Sequence, residues 1–200
     1  MILEGLMTTV NADGTVNVSP MGPRVDAGLT QFTLRPFQTS TTYRNLKRTG
    51  LGVFHVTDDV ETLARAAIGR LQPTPAVWKL PEREAFVLTE ACRWFLLEVT
   101  SLDDSAERTT IECRPIDHGE QRPFFGLNRA KHAVVEAAIL ATRLHLTTHE
   151  QLAPQLAALR PLIEKTAGDA ERRAFAMLEQ YIAEHYEKAE SARASEVRDG

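Results

Sequence analysis

The hydrophobic pattern of this 200-residue chain changes period once, just after Pro123. Before that point, short apolar runs of strand length are separated by turn-forming residues. After it, apolar residues recur at the three-to-four-residue spacing of helices. Strands first and helices last is an α+β plan. The expected division is a sheet-built domain over residues 1–122, a helical part over 123–190 packed on it, and a tail over 191–200.

Within the first part, residues 2–10 read as a strand, and Asn11-Ala12-Asp13-Gly14 supplies turn chemistry. Residues 15–19 alternate, with Val16 and Val18 on one face and Asn17 and Ser19 on the other. Pro20, lacking an N–H, is expected to end that ladder. Further strands are predicted over 31–34, 51–56, 86–88, 94–101 and 109–116, with 103–107 as a hairpin loop. Residues 39–49 read as a helix stopped by Gly50, and Thr57-Asp58-Asp59 caps a helix over 60–71. Past Pro123 the pattern predicts helices over 128–146, over 150–158 capped by Thr148, a short one opened by Pro161, and one over 170–189 capped by Asp169.

Composition narrows the function classes. Hydrophobic residues at 43% and charged residues at 25% are those of an ordinary globular protein that buries a core. A net charge of −4 argues against nucleic acid as the main partner. Two cysteines, Cys92 and Cys113, make neither a disulfide framework nor a metal quartet, and both are expected in strands as small buried hydrophobes. His118, His145, His149 and His185 are scattered without metal spacing, so no metal is expected. His55 lies in an apolar run and reads as a satisfied core histidine. The N-terminus has no signal-peptide character and no run approaches the roughly 20 apolar residues of a membrane span, so a cytoplasmic protein with no membrane partner is expected.

The informative stretch is Asn17-Val18-Ser19-Pro20-Met21-Gly22-Pro23-Arg24, followed by Leu34-Arg35-Pro36-Phe37-Gln38-Thr39-Ser40-Thr41-Thr42-Tyr43-Arg44-Asn45-Leu46. Four hydroxyl residues, Thr39 to Thr42, stand where a helix begins, beside Arg35 and Arg44. A helix start offers unpaired N–H groups and partial positive charge, so hydroxyls and an arginine there make a phosphate cradle. Asn45, about one turn in, points back toward the same place. The same residues also read as ordinary caps and solvated arginines. Pro20-Met21-Gly22-Pro23 is stiff except at Gly22, where bare backbone can approach a flat ligand; a plain strand-ending loop reads the same way. The run is neither a P-loop nor a dinucleotide fingerprint, because the glycines are missing.

These two segments resemble the FMN-binding split β-barrel superfamily, which includes flavin reductase-like proteins. More narrowly, the chain resembles the family catalogued as domain of unknown function 447. That family shares the Arg-Pro-Phe-Gln-Thr-Ser-Thr-Thr-Tyr-Arg-Asn-Leu run, the Val-Phe-His-Val-Thr-Asp-Asp run (53–59) and the Asn-Arg-Ala-Lys-His-Ala-Val-x-Glu-Ala run (128–137). The resemblance implies an α+β fold: a split β-barrel binding FMN over 1–122 with a C-terminal helical extension.

The resemblance further implies that Thr39, Ser40 and Thr42 hold the FMN phosphate with Arg35 supplying charge. Asn45 would bond the ribityl chain or a phosphate oxygen. Ser19, Pro20, Met21 and Gly22 would line the isoalloxazine ring. Asn128, Lys131 and His132 are candidate contacts for substrate or flavin; a solvated face with a weak His132–Glu136 pair is the other reading. The implied protein is a homodimeric flavoprotein, an oxidoreductase of unknown substrate with no assigned catalytic residue. The alternatives are a non-enzymatic FMN binder or sensor, or a barrel that has lost its ligand.

Overall fold

The computed structural model describes residues 1–196 and divides into two compact units, one of residues 1–59 and 73–125, the other of 60–72 and the chain from 126 onward. The first unit holds a seven-stranded antiparallel sheet of β1 (Gly5–Val10), β2 (Val16–Met21), β3 (Arg24–Val25), β4 (Phe32–Leu34), β5 (Leu51–Val56), β8 (Arg93–Asp103) and β9 (Thr110–Glu120). Their order is β2-β1-β5-β8-β9-β4-β3. β3 then meets the residues preceding β1, through an Ile2–Arg24 bridge and the pairs Leu3 N–H to Pro23 O and Val25 N–H to Met1 O. That contact curls the sheet into a split barrel, because 16–25 pairs with β1 through its first half and with β4 through its second. A two-stranded sheet of β6 (Val77–Lys79) and β7 (Phe86–Leu88) covers the outside.

The period-2 pattern explains why β5 and β8 are apolar throughout. Phe54, Phe95 and Leu97 point inward to Met7, Phe32, Leu34 and Ile111, with Phe32 ring centroids 5.8 Å from Phe54 and 5.4 Å from Phe95. Val53, Trp94 and Leu96 point outward and are covered by Leu80, Ala85 and Val87. Each large side chain so buried contributes about 1.5–3 kcal/mol. His55 shares the outward face. It is fully buried, its Nδ1 lies 3.2 Å from the Leu6 carbonyl, and its Nε2 accepts from the Leu88 N–H at 3.0 Å. Burial holds its pKa down, to about 4.

The helix α1 (Thr41–Thr49) belongs to this unit and buries Tyr43 and Leu46 in the inner core. Ser40 caps it and Gly50, at φ 68°, ends it in the left-handed region that glycine takes without strain. The second unit is all helical: α2 (Val60–Ala67), α3 (Arg129–Ala141), α4 (His149–Thr166) and α5 (Asp169–Glu196), with a short 3₁₀ turn at Leu144–Leu146. The alanines of α3 are buried, which lets α2, α4 and α5 approach its axis closely.

Several expectations are corrected. Pro20 does not end its strand; β2 runs on to Met21, since an edge strand has a neighbour on one side only and tolerates a missing N–H on the other. α1 begins at Thr41, not at 39, because Ser40 takes the capping role. Pro161 opens no helix. It lies inside α4 with Pro154, and their seven-residue spacing puts both on the exposed side, where the carbonyls they leave unpaired meet water. α2 stops at Ala67, four residues short of the expected end. β3 and β6 carried no visible signal, being two and three residues long. Cys92 lies just before β8 rather than in a strand, but both cysteines are buried and free. Residues 197–200 of the expected tail lie outside the described residues, while α5 continues through 196.

Candidate functional site

The start of α1 is built with more donors than acceptors. Ser40 Oγ accepts from the Tyr43 N–H at 3.2 Å, the ordinary capping bond. Among the described residues, the N–H groups of Thr41 and Thr42 have no acceptor. No acidic residue stands in the first turn, although carboxylates are the usual neighbours of a helix start. A cation stands there instead. Arg44 folds back so that Nη1 donates to the Thr39 carbonyl at 2.8 Å and Nη2 to Thr41 Oγ1 at 3.1 Å. Arg35 is exposed, and its guanidinium has no partner among the described residues. Arg108 donates its Nε–H to the Arg35 carbonyl at 3.0 Å and covers the Phe37 ring at 5.4 Å.

Two further cations on α1 are engaged elsewhere. Lys47 pairs with Asp104 at 2.6 Å, and Arg48 donates to the Val10 carbonyl. Lys47 and the Tyr43 hydroxyl, which also donates to Asp104 at 2.6 Å, hold that carboxyl below its usual range. The positive charge left over at the helix start is that of Arg35 and Arg44.

Beneath the helix start lies a polar seam. Thr42 is 3% exposed; its hydroxyl lies 2.7 Å from Ser19 Oγ and accepts from Asn17 Nδ2 at 3.2 Å. Asn17 Nδ2 also donates to Thr9 Oγ1 at 3.1 Å. Asn45 Nδ2 donates to Thr9 Oγ1 at 3.0 Å and to Asn11 Oδ1 at 2.8 Å. The structure therefore brings Ser19, Ser40, Thr42 and Asn45 together at the junction of β1, β2 and α1. Thr39 and Arg35, before the helix, are exposed. The Asn45 amide N–H groups bind within the seam. Pro20 and Met21 lie in β2 next to Ser19, and Gly22 follows; a Cβ at Gly22 would stand 2.9 Å from the Glu4 carboxylate, so its bare backbone makes room for Glu4. Thr9 went unremarked in the sequence, and Asn11 was read only as part of a turn. The signal available was polarity at Thr8-Thr9 in a strand that is otherwise apolar.

The remaining candidates lie in the helical unit. Asn128 caps α3, its Oδ1 accepting from the N–H groups of Ala130 and Lys131 and its Nδ2 donating to the Thr166 carbonyl at 3.1 Å. Lys131 pairs with Glu171 at 2.8 Å. His132 is exposed, and no ion pair joins it to Glu136 among the described residues. Among the described residues no group of His, Cys, Asp or Glu is placed to hold a metal ion, and no helix is long and apolar enough to cross a membrane.

Two family models match the chain, the N-terminal domain of a protein of unknown function, DUF447, over residues 3–122, and a second DUF447 model over residues 128–180. No curated protein matches. Among solved structures, the FMN-bound DUF447 protein MM1853 from Methanosarcina mazei superposes with a TM-score of 0.77 at 24% identity, over 90% of this chain and 94% of that one. A flavin reductase domain protein from Arthrobacter sp. FB24 gives 0.52 at 16% identity, over 62% and 80%. Flavoredoxin from Methanosarcina acetivorans gives 0.51 at 12% identity, over 61% and 74%. These likenesses establish the split-barrel fold.

Proposed function

The chain belongs to the DUF447 family, and from that premise we propose that it binds FMN, with the phosphate seated at the start of α1. The observation that carries the reading is the surplus of donors there. Two unpaired N–H groups, the Arg44 guanidinium and several hydroxyls stand at a helix start whose first turn has no acidic residue, with exposed Arg35 a few residues before it. Such a set suits a dianion and little else. The FMN bound to the Methanosarcina mazei protein of the same family and fold supports it.

In this reading Thr39, Ser40 and Thr42 face the phosphate and Arg35 supplies charge. Asn45 is the near neighbour of the ribityl chain, and Ser19, Pro20, Met21 and Gly22 line the ring. Asn128 and Lys131 are held by Thr166 and Glu171, so His132 is the member of that group best placed to meet a substrate. We assign the flavin domain to residues 1–122 and the helical part to the chain from 123 onward, where α5 runs through 196; the break between the two family models, at 122 and 128, supports that division. Exposed Phe124 and Phe125, at 48% and 75%, are apolar surface that a second copy would cover, which supports a homodimer.

The bound flavin would supply redox chemistry, and the protein would orient it and supply its electrostatic setting. On this reading the chain is an oxidoreductase whose substrate is unassigned. The test is the visible spectrum of the purified protein and titration with FMN, followed by a nicotinamide nucleotide. Flavin absorption that bleaches on addition of the nucleotide supports an oxidoreductase. Bound flavin that does not bleach indicates a binder or carrier, and colourless protein without FMN affinity overturns the proposal.

A further inference from the structure

The β6–β7 hairpin is tied to the barrel by side chains rather than by a strand ladder. Its two strands pair with each other and, among the described residues, with no strand of the seven-stranded sheet. Leu80, Ala85 and Val87 of this segment cover Val53, Trp94 and Leu96, an apolar cluster separate from the inner core around Phe32, Phe54 and Phe95. Side-chain bonds complete the join. Thr8 Oγ1 donates to the Phe86 carbonyl at 2.5 Å, Gln121 Nε2 to the Leu88 carbonyl at 2.9 Å, and Trp78 Nε1 to Gln121 Oε1 at 2.8 Å. A fourth tie runs from the Leu88 N–H to His55 Nε2 at 3.0 Å, and of the four it is the one made by a titratable side chain.

That fourth tie fixes where the imidazole carries its proton. Nε2 has to stay bare to accept from Leu88, so the ring proton sits on Nδ1, 3.2 Å from the Leu6 carbonyl. A second proton would go to Nε2 and meet the Leu88 N–H, donor against donor. The place is closed to solvent, since His55 is 0% and Leu88 5% exposed. The charged ring therefore fits only if Leu88 withdraws. β1 and β7 carry no charged residue, and β5 none besides His55 itself. The charged residues of β6 and β8 are engaged elsewhere: Lys79 pairs with Glu84, Glu98 with Arg114, Arg93 lies over the Phe95 ring and Asp103 accepts from the Ser105 N–H. Beyond the end of β5, Asp58 pairs with Arg122. Burial, not a neighbouring charge, is what lowers the His55 pKa.

We propose that the β6–β7 hairpin is an acid-released strap latched by His55: proton uptake at Nε2 and withdrawal of the hairpin from the outer face of β5 and β8 are one event, and the barrel stays folded through it. One proton is bound for each strap released. Release uncovers Val53, Trp94 and Leu96 and leaves the inner core closed.

The experiment follows the full chain from pH 7 to pH 3 by tryptophan emission and by far-UV circular dichroism. Trp78 and Trp94 are the chain's two tryptophans and meet across the join at 5.9 Å, so emission reads the strap. Circular dichroism reads the chain as a whole. Emission should shift to the red with a midpoint near pH 4, where His55 titrates, ahead of the loss of dichroism. His55→Gln should hold its emission until dichroism falls. Thr8→Val removes a tie that does not titrate. It should move the emission midpoint up by about half to one pH unit, because a strap held by one hydrogen bond fewer yields to the proton sooner. Phe32→Leu loosens the inner core instead and should leave that midpoint in place. The proposal is overturned if emission and dichroism move together in wild type, if His55→Gln repeats the wild-type transition, or if Thr8→Val moves the midpoint no further than Phe32→Leu does. Should His55→Gln fail to fold, the Thr8→Val and Phe32→Leu midpoints decide.

Discussion

The starts of α1 and α3 look alike in sequence and differ in what they leave undone. Both open with a polar cap, both lack an acid in the first turn, and both carry positive charge there, Arg44 in α1 and Arg129 and Lys131 in α3. At α3 the cap and Lys131 are closed on the fold, although Arg129 is exposed and its guanidinium has no partner among the described residues. Asn128 takes two N–H groups and gives its own amide to Thr166, and Lys131 reaches Glu171. At α1 the cap takes one N–H and leaves two, and Arg35 has no partner among the described residues. On the proposed reading, α1 keeps two open N–H groups for an anion where the α3 cap takes two, and the α3 lysine is answered by a carboxylate from elsewhere in the fold. Glu171 answers Lys131 from 40 positions away in the chain, and nothing local in the sequence shows it.

The contrast is broken most severely by removing what α1 leaves open. Arg35→Ala together with Ser40→Ala should weaken FMN binding by about 2–4 kcal/mol, since each charge-assisted bond is worth about 1.5–3 kcal/mol. Isothermal titration measures it. A dissociation constant that does not move would mean that the phosphate sits elsewhere and that α1 is as closed in solution as α3.

Acid separates the two units as well. His55 in the barrel is held neutral by burial, with its pKa lowered from 6.5 to about 4, and both ring nitrogens are in use. No charged group contributes to that shift. The unfolded chain therefore binds the proton more readily, and stability present above pH 6.5 is lost as pH falls toward 4. The loss is of order 3 kcal/mol. In the helical unit, burial pushes the Glu171 carboxyl up, but Lys131 and backbone N–H groups outweigh it and hold it below its ordinary value of 4.5. Its contribution is complete above that value and fades only at lower pH. Urea unfolding at pH 7, 6 and 5 should show wild type losing stability and His55→Gln losing distinctly less. Parallel curves would assign the acid sensitivity to another group.

What the sequence disclosed follows the range of the interactions involved. β5 was legible to the residue because its apolar run is local and bounded by Gly50 and Thr57. The end of α1 followed from Gly50, whereas its start was read two residues early, because any of the hydroxyls at 39–42 can cap a helix and only the folded chain selects Ser40. His55 was legible as a core residue because its surroundings in the chain are apolar. The polar seam was not, since Thr9, Asn17 and Asn45 meet only after β1, β2 and α1 have been assembled. Pro161 misled for a related reason. A proline normally stops a helix, and its tolerance in α4 depends on which side the second unit leaves exposed. Asn128 and Lys131 were read as site candidates because their partners, Thr166 and Glu171, belong to helices that the sequence does not place beside them.

The smallest effect tests the closed side of the comparison. Asn128→Ala removes an acceptor for two N–H groups and a donor to Thr166, so it should destabilise the protein by about 1 kcal/mol, within the 0.5–2 kcal/mol range of lost caps. In a chain of this size that is a fall of about 2–4 °C in Tm by differential scanning fluorimetry. FMN affinity should stay within about twofold, because Ala130, Lys131 and Thr166 take all of the Asn128 amide's hydrogen-bonding capacity except one Nδ2 proton. A variant that keeps its Tm but loses FMN would reverse the assignment, making α3 the open start, with Thr166 and Glu171 as partners that give way when the flavin arrives.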